Sequence, residues 1–113
     1  MSKYLFMASM DIESNKQQVF DDVYDKEHVP FLAEVPGVIS IARFQTEKLR
    51  LSIGGDIKDI VVENQPKHTA LYEIESPDVL ISREWGEAVE KGSWAKEVRP
   101  FTMNRKHILL KGN

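Results

Sequence analysis

Apolar and polar positions change rhythm several times along the chain, and each change marks an element. Tyr4-Leu5-Phe6-Met7-Ala8-Ser9-Met10 is apolar at both odd and even positions, as a strand reads when both faces of its sheet are covered. From Ser14 to Val35 the spacing turns to steps of three and four: Phe20, Tyr24, His28, Phe31, Leu32 and Val35 form one helical stripe. Ser14 or Asn15 is expected to cap this helix, and Pro36-Gly37 to stop it. Pro30 interrupts the stripe. It lacks an amide proton, crowds the carbonyl of Lys26 and is expected to push Val29 out of helical angles, bending or restarting the helix.

Val38 to Gln45 is β-branched and reads as a second strand. Leu49, Leu51 and Ile53, then Gly54-Gly55-Asp56, then Ile57, Ile60 and Val62 predict a hairpin, because both glycines can take positive φ; an irregular lid is the alternative. Lys67 to Glu75 alternates as a third core strand, with His68, Ala70, Tyr72 and Ile74 on one face and Thr69, Leu71 and Glu73 on the other. Ser76-Pro77-Asp78 opens a second helix with stripe Ile81, Trp85, Ala88, Val89, ended by Gly92. Arg99 to Lys111 completes the set as a fourth strand. The order is an α+β, ferredoxin-like βαββαβ plan with an extra hairpin or arm between strands two and three. Two helices on one face of such an antiparallel sheet leave the other face bare. Strands one to three carry apolar residues there too, so a homodimer through the open sheet face is expected. The other reading is a monomer with a partly greasy sheet.

With 113 residues, 42% of them hydrophobic, residues 1–113 are expected to form one domain. A net charge of −3, with 18 acids and 15 bases dispersed, supplies no basic patch, so no nucleic acid partner is expected. No cysteine is present, which excludes disulfides, thiolate metal sites and a cysteine nucleophile. The start Met1-Ser2-Lys3 does not read as a cleavable leader and no apolar run reaches about twenty residues, so a cytoplasmic protein without a membrane span is expected.

No phosphate loop, nucleophile elbow or zinc-helix pair occurs. Interest falls on isolated ionisable residues. His28 lies on the apolar stripe just before Pro30, where its charged form is desolvated and its imidazole suits general acid or base work; a core histidine bonded to a carbonyl is the bland reading. Tyr24, one turn earlier, and Tyr72 offer phenols that orient a substrate oxygen or simply pack. Arg43, on an otherwise apolar strand, is a candidate anchor for an anionic or carbonyl-bearing ligand, or half of a salt bridge across the dimer. Trp94 follows Gly92 in an expected loop, a candidate for a pocket mouth, whereas Trp85 reads as core. His28, His68 and His107 lack the spacing of a metal site, and none is predicted. Asp21, Asp22, Asp25 and Glu27 read as a solvated face.

Tyr24-Asp25-Lys26-Glu27-His28-Val29-Pro30-Phe31-Leu32, then Val35-Pro36-Gly37-Val38 and Arg43-Phe44, resemble the EthD-like branch of the dimeric α+β barrel proteins. The resemblance implies a homodimeric barrel, a pocket between sheet and first helix, and a family histidine falling on His28. It does not fix a reaction: relatives are linked with ether degradation and with dehydration, decarboxylation or cyclisation of aromatic polyketide-like compounds. Cofactor-free proton transfer on a small hydrophobic, carbonyl-bearing or aromatic molecule is the leading expectation, and a non-catalytic binding or structural dimer the second. Haem degradation ranks below both, since haem-binding relatives of this superfold carry an Asn on strand one and a His on helix two, where this chain has Met7, Ala8 and Ser9 and no histidine. The segment Lys48 to Pro66 is expected either to reach the second subunit or to cover the pocket.

Overall fold

The computed structural model describes residues 3–113; Met1 and Ser2, within the start read as carrying no leader, lie outside them. Four strands, β1 (Tyr4–Ile12), β2 (Val38–Gln45), β5 (His68–Ile74) and β6 (Thr102–Lys111), form one antiparallel sheet in the order β2-β5-β1-β6. Between β2 and β5 the chain leaves the sheet as a separate hairpin of β3 (Leu49–Ile53) and β4 (Asp56–Ile60). Gly54 and Gly55 turn it at φ +62° and +88°, so the Gly-Gly pair makes a hairpin rather than an irregular lid.

The register sorts the sheet into two faces. Ala8 and Met10 on β1 stand with Ala70, Tyr72 and Ile74 on β5 and pack beneath Phe20, Val23, Tyr24, Leu32, Val35, Val79, Ala88, Trp94 and Val98, so both helical segments cover this face. The alternation of β5 is complete, with His68, Ala70, Tyr72 and Ile74 buried and the residues between them half-buried. On the opposite face Leu5, Met7, Ala42, Phe44, Leu71, Ile108 and Leu110 come together through the pairings Leu5↔Leu110, Met7↔Leu71, Met7↔Ile108 and Ala42↔Leu71. That face is apolar and uncovered, as expected from the two-sided pattern of the strands.

Helix one departs from a plain α-helix. After a 3-10 turn at Ser14–Lys16, α1 (Gln17–Val23) runs into a π turn at Tyr24–His28 and resumes as α2 (Val29–Ala33). Among the described residues no side chain caps the start, so the expected capping by Ser14 or Asn15 is not made. Nor does Pro30 drive Val29 from helical angles: Val29 keeps φ −62° and ψ −49°, and its amide donates five residues back to the Tyr24 carbonyl. The residue inserted by the π turn shifts the ladder, so that Pro30 falls in the first turn of α2, where a missing amide costs little. Gly37 at φ +92° then turns the chain into β2.

Helix two is broken where the sequence reads as continuous. Ser76 Oγ accepts from the Asp78 amide over a 3-10 turn at Pro77–Ile81, and Ser82, extended at ψ 155°, caps afresh by accepting from the Trp85 amide to start α3 (Arg83–Ala88). This second cap rephases the stripe. Val79 and Ala88 are buried and Trp85 and Val89 half-buried, but Ile81, expected in the core, is 84% exposed. The fourth strand starts at Thr102 rather than Arg99, because Trp94–Val98 forms a second π turn and Arg99–Phe101 a 3-10 turn.

Gly37 offers a direct test of this packing. A Cβ there would stand 2.5 Å from Val79 Cγ2, at a φ that disfavours L-residues by about 1–2 kcal/mol. Gly37→Ala is expected to lower unfolding stability by at least that amount in urea titrations; an unchanged midpoint would show that the β2 entry relaxes freely.

Candidate functional site

The five side chains singled out from the sequence come from helix one, β2, β5 and the segment before β6, and the fold brings all five into one cluster. Tyr24 is its centre. Its ring meets His28 edge-on at 5.3 Å and Trp94 edge-on at 4.9 Å, and its hydroxyl lies 3.4 Å from that of Tyr72, in a buried phenol pair. The Arg43 guanidinium covers its other side, 4.6 Å from the ring centroid and 5.2 Å from that of Phe20. Trp94 is not at a pocket mouth in a loop. It is 3% exposed on the π turn and lies parallel to the His28 imidazole at 4.1 Å and 12°.

The two π turns share a pattern that the reading of the sequence missed. Tyr24-Asp25-Lys26-Glu27-His28-Val29-Pro30 and Trp94-Ala95-Lys96-Glu97-Val98-Arg99-Pro100 both read aromatic-x-Lys-Glu-x-x-Pro, and in each the proline lies two residues beyond the π turn. They occupy equivalent places in the two βαβ halves. The topology sets them face to face, so the aromatic that opens one turn packs on the aromatic that opens the other.

Arg43 is committed within its own chain rather than across a dimer. Its Nη1 donates to Asp25 Oδ1 at 2.7 Å and its Nη2 to Asp21 Oδ1 at 2.9 Å, clamping helix one to β2. Burial alone would raise the Asp21 carboxyl, but hydrogen bonds from Arg43 and Gln17 outweigh it and hold that group below its ordinary value. Two residues read as a solvated face thus have structural work, as does Glu27, whose Oε1 accepts from the Ser93 amide at the start of the second π turn.

His28 is 5% exposed, and its buried Nδ1 has no hydrogen-bond partner among the described residues. Desolvation, with the Arg99 charge acting in the same sense and Glu90 opposing, lowers its pKa to about 4, so the ring is neutral near pH 7. Burial raises both phenols; the Tyr72 hydroxyl opposes that rise at Tyr24, whereas Tyr24 adds to it at Tyr72, and both keep their protons. His68, given no role from the sequence, is also buried, with an Nδ1 that has no partner among the described residues; its Nε2 lies 3.3 Å from Gln17 Oε1 and its ring 4.8 Å from Phe20. His107 stacks on Phe6 instead. Among the described residues no group of three metal-ligating side chains converges.

These rings pack against one another between the sheet and helix one. Among the described residues, three prominent surface clefts lie elsewhere: one of about 630 Å³ between α2 and α3, edged by Phe31, Val35, Glu87 and Glu90; one of about 860 Å³ at the root of the hairpin; and one of about 300 Å³ on the open sheet face. None of the three is lined by the five candidate residues. The first ends at Glu90, whose carboxylate pairs with Arg99, the cation that biases His28.

No family model matches the sequence, and no curated protein matches it. Solved structures do match along nearly its whole length. A variant of SnoaB, a cofactor-independent oxygenase from Streptomyces nogalater, superposes with a TM-score of 0.58 at 12% identity, over 96% of this chain and 90% of that one. An EthD family protein from Bacillus halodurans superposes at 0.54 and 14% identity, over 100% of this chain and 98% of that one. The chain has the ferredoxin-like α+β fold. The resemblance carried by Tyr24 to Val38 is met at that level, and the hairpin between β2 and β5 is an addition to the four-stranded plan. No helix among the described residues is long and apolar enough to cross a membrane.

Proposed function

We propose that this ferredoxin-like chain acts in the cytoplasm as a homodimer closed through its open sheet face, and that it performs cofactor-free proton transfer on a small hydrophobic, carbonyl-bearing or aromatic molecule beside helix one. The observation that carries the reading is the His28 imidazole: a buried, neutral proton acceptor whose Nδ1 has no partner among the described residues, on a π turn and against an aromatic wall. Buried polar atoms without partners are rare in native folds, and π turns concentrate at functional sites. SnoaB, a cofactor-independent oxygenase by description, is an instance of this fold doing chemistry without a cofactor.

The chemistry follows from the protonation states. Neutral His28 takes a proton from carbon next to a carbonyl, and the Tyr24–Tyr72 phenol pair, kept protonated by burial, donates to the oxygen on which negative charge develops. Returning the proton to another atom isomerises the substrate, and delivering it to a departing hydroxyl dehydrates it; in the decarboxylative variant His28 takes the carboxyl proton instead, the carbon–carbon bond breaks to release carbon dioxide, and the imidazolium returns the proton to the enolate carbon. The substrate enters along the cleft between α2 and α3, past the Glu90–Arg99 pair, and separates the two π turns. Dimerisation removes the apolar residues of the open face from water.

A non-catalytic binding or structural dimer has one observation in its favour, the absence of His28 from the linings of the three clefts. A screen of aromatic and carbonyl-bearing compounds, read first by thermal shift and then by turnover, separates the two. For a compound that is turned over, His28→Gln is expected to lower kcat about 10²–10⁴-fold. Full turnover by that variant, or binding with no turnover across the screen, would sink the catalytic reading.

A further inference from the structure

The hairpin is a second uncovered surface that neither the aromatic cluster nor the sheet face explains. Its pairings Leu49↔Ile60, Leu51↔Lys58 and Ile53↔Asp56 put Leu49, Leu51, Ile53 and Ile60 on one side together with Lys58 and Asp56, while Arg50, Asp59, Ser52 and Ile57 share the other, with an Arg50–Asp59 ion pair. An isolated two-stranded hairpin is marginal in water. This one nonetheless holds its apolar residues out, and every residue of β3 and β4 is exposed.

Its root, by contrast, is fastened. Thr46 Oγ1 donates to the Pro66 carbonyl, the Lys67 amide donates to Asp11 Oδ1, and Asn104 Nδ2 and Lys106 Nζ both donate to the Asn64 carbonyl. The chain measures 50 × 43 × 18 Å, and its smallest dimension is about what one sheet and one helix layer require. The arm therefore extends in the plane of the body and folds back over neither face of its own sheet. Covering its own pocket, one of the two roles expected from the sequence, does not fit that direction.

We propose that the arm is a dimerisation arm, which lays its Leu49-Leu51-Ile53-Ile60 side on a second copy of this chain. The proposal rests on the open-face homodimer above and extends it. Three observations select a second copy. The cleft on the open face and the cleft at the root of the arm share Thr46, so the two apolar surfaces are continuous. Arg50 and Lys58 balance Asp56 and Asp59, leaving no net charge to attract an acidic or basic partner. Leu49, Leu51, Ile53 and Ile60, 38–52% exposed, make that side an apolar strip that adds to the open sheet face toward the roughly 800 Å² that each partner contributes to a standard interface.

The test is sedimentation equilibrium of the full chain, the double variant Leu51→Lys/Ile53→Lys, and Leu71→Lys on the open face, with far-UV circular dichroism to confirm folding. The parent is expected to be a dimer, and each variant to raise the dimer Kd at least tenfold. Hydrogen exchange of amides 49–60 in the parent is expected to slow as protein concentration rises through the Kd. A dimeric parent whose Kd is unchanged by the double variant, with exchange in the arm independent of concentration, overturns the arm while leaving the open-face dimer standing. A parent that stays monomeric at high concentration overturns the dimer itself and the arm with it.

Discussion

Replacing Trp94 with alanine is expected to lower unfolding stability by about 3–5 kcal/mol, the cost of removing a large buried aromatic and leaving a cavity. For a fold stabilised by about 5–15 kcal/mol, this consumes a large share of the total. The site explains the size of the effect: Trp94 touches Phe20 at 6.2 Å, Tyr24 at 4.9 Å and His28 at 4.1 Å, so its loss unpacks both π turns at once. Trp85→Ala, at a half-buried ring, should cost less. Urea denaturation supplies the numbers. Because the vacated space is flat and apolar, added indole should recover part of the lost stability, as ligands do for engineered apolar cavities. A Trp94→Ala variant within 1 kcal/mol of the parent would mean that the stack on His28 does not hold the site shut. An exposed His28 in that variant should also titrate closer to an ordinary histidine, because the desolvation that lowers it would be relieved.

Acidification from pH 6.5 to 4 is expected to remove about 3 kcal/mol through His28 alone. Its folded pKa of about 4 lies below the ordinary 6.5, so in this window the unfolded chain binds a proton that the folded chain does not. The stability is therefore complete above pH 6.5 and is lost as pH falls toward 4. Burial is the largest cause of the shift; Arg99 adds to it and Glu90 opposes it. His68 and His107 are lowered too, chiefly by burial, and add losses of the same sign. Asp21, lowered from 3.8, acts only at more acid pH. His28→Phe keeps an aromatic ring against Trp94 and removes the titration. Its unfolding free energy should be visibly flatter between pH 6.5 and 4 than that of the parent, and superimposable slopes would show that His28 is not buried neutral in solution.

Much of the site was readable one residue at a time. His28 and Tyr24 stood out because the three-and-four spacing aimed a titratable ring and a phenol inward, and Arg43 because a charge on an apolar strand needs a partner. Their partners were not readable. Asp21 and Asp25 looked like a solvated helix face, since nothing in the sequence says that β2 delivers a guanidinium over helix one. Trp94 was misplaced because five residues of π turn carry no periodic signature long enough to see. The aromatic-x-Lys-Glu-x-x-Pro repeat at 24–30 and 94–100 was legible in the sequence, but its meaning depends on the pseudo-symmetric halves that bring the copies together.

Alone, the sequence determined the order of elements, the two apolar faces of the sheet and the Gly-Gly turn of the arm, because periodicity and backbone permissiveness are local properties. Tertiary structure decided the rest. It closed the aromatic cluster around Tyr24, split helix two at Ser82, left Ile81 in water and sent the arm outward in the plane of the body. The cluster turns on which surfaces meet across some seventy residues of chain, as Tyr24 and Trp94 do, and no local pattern encodes a contact at that separation.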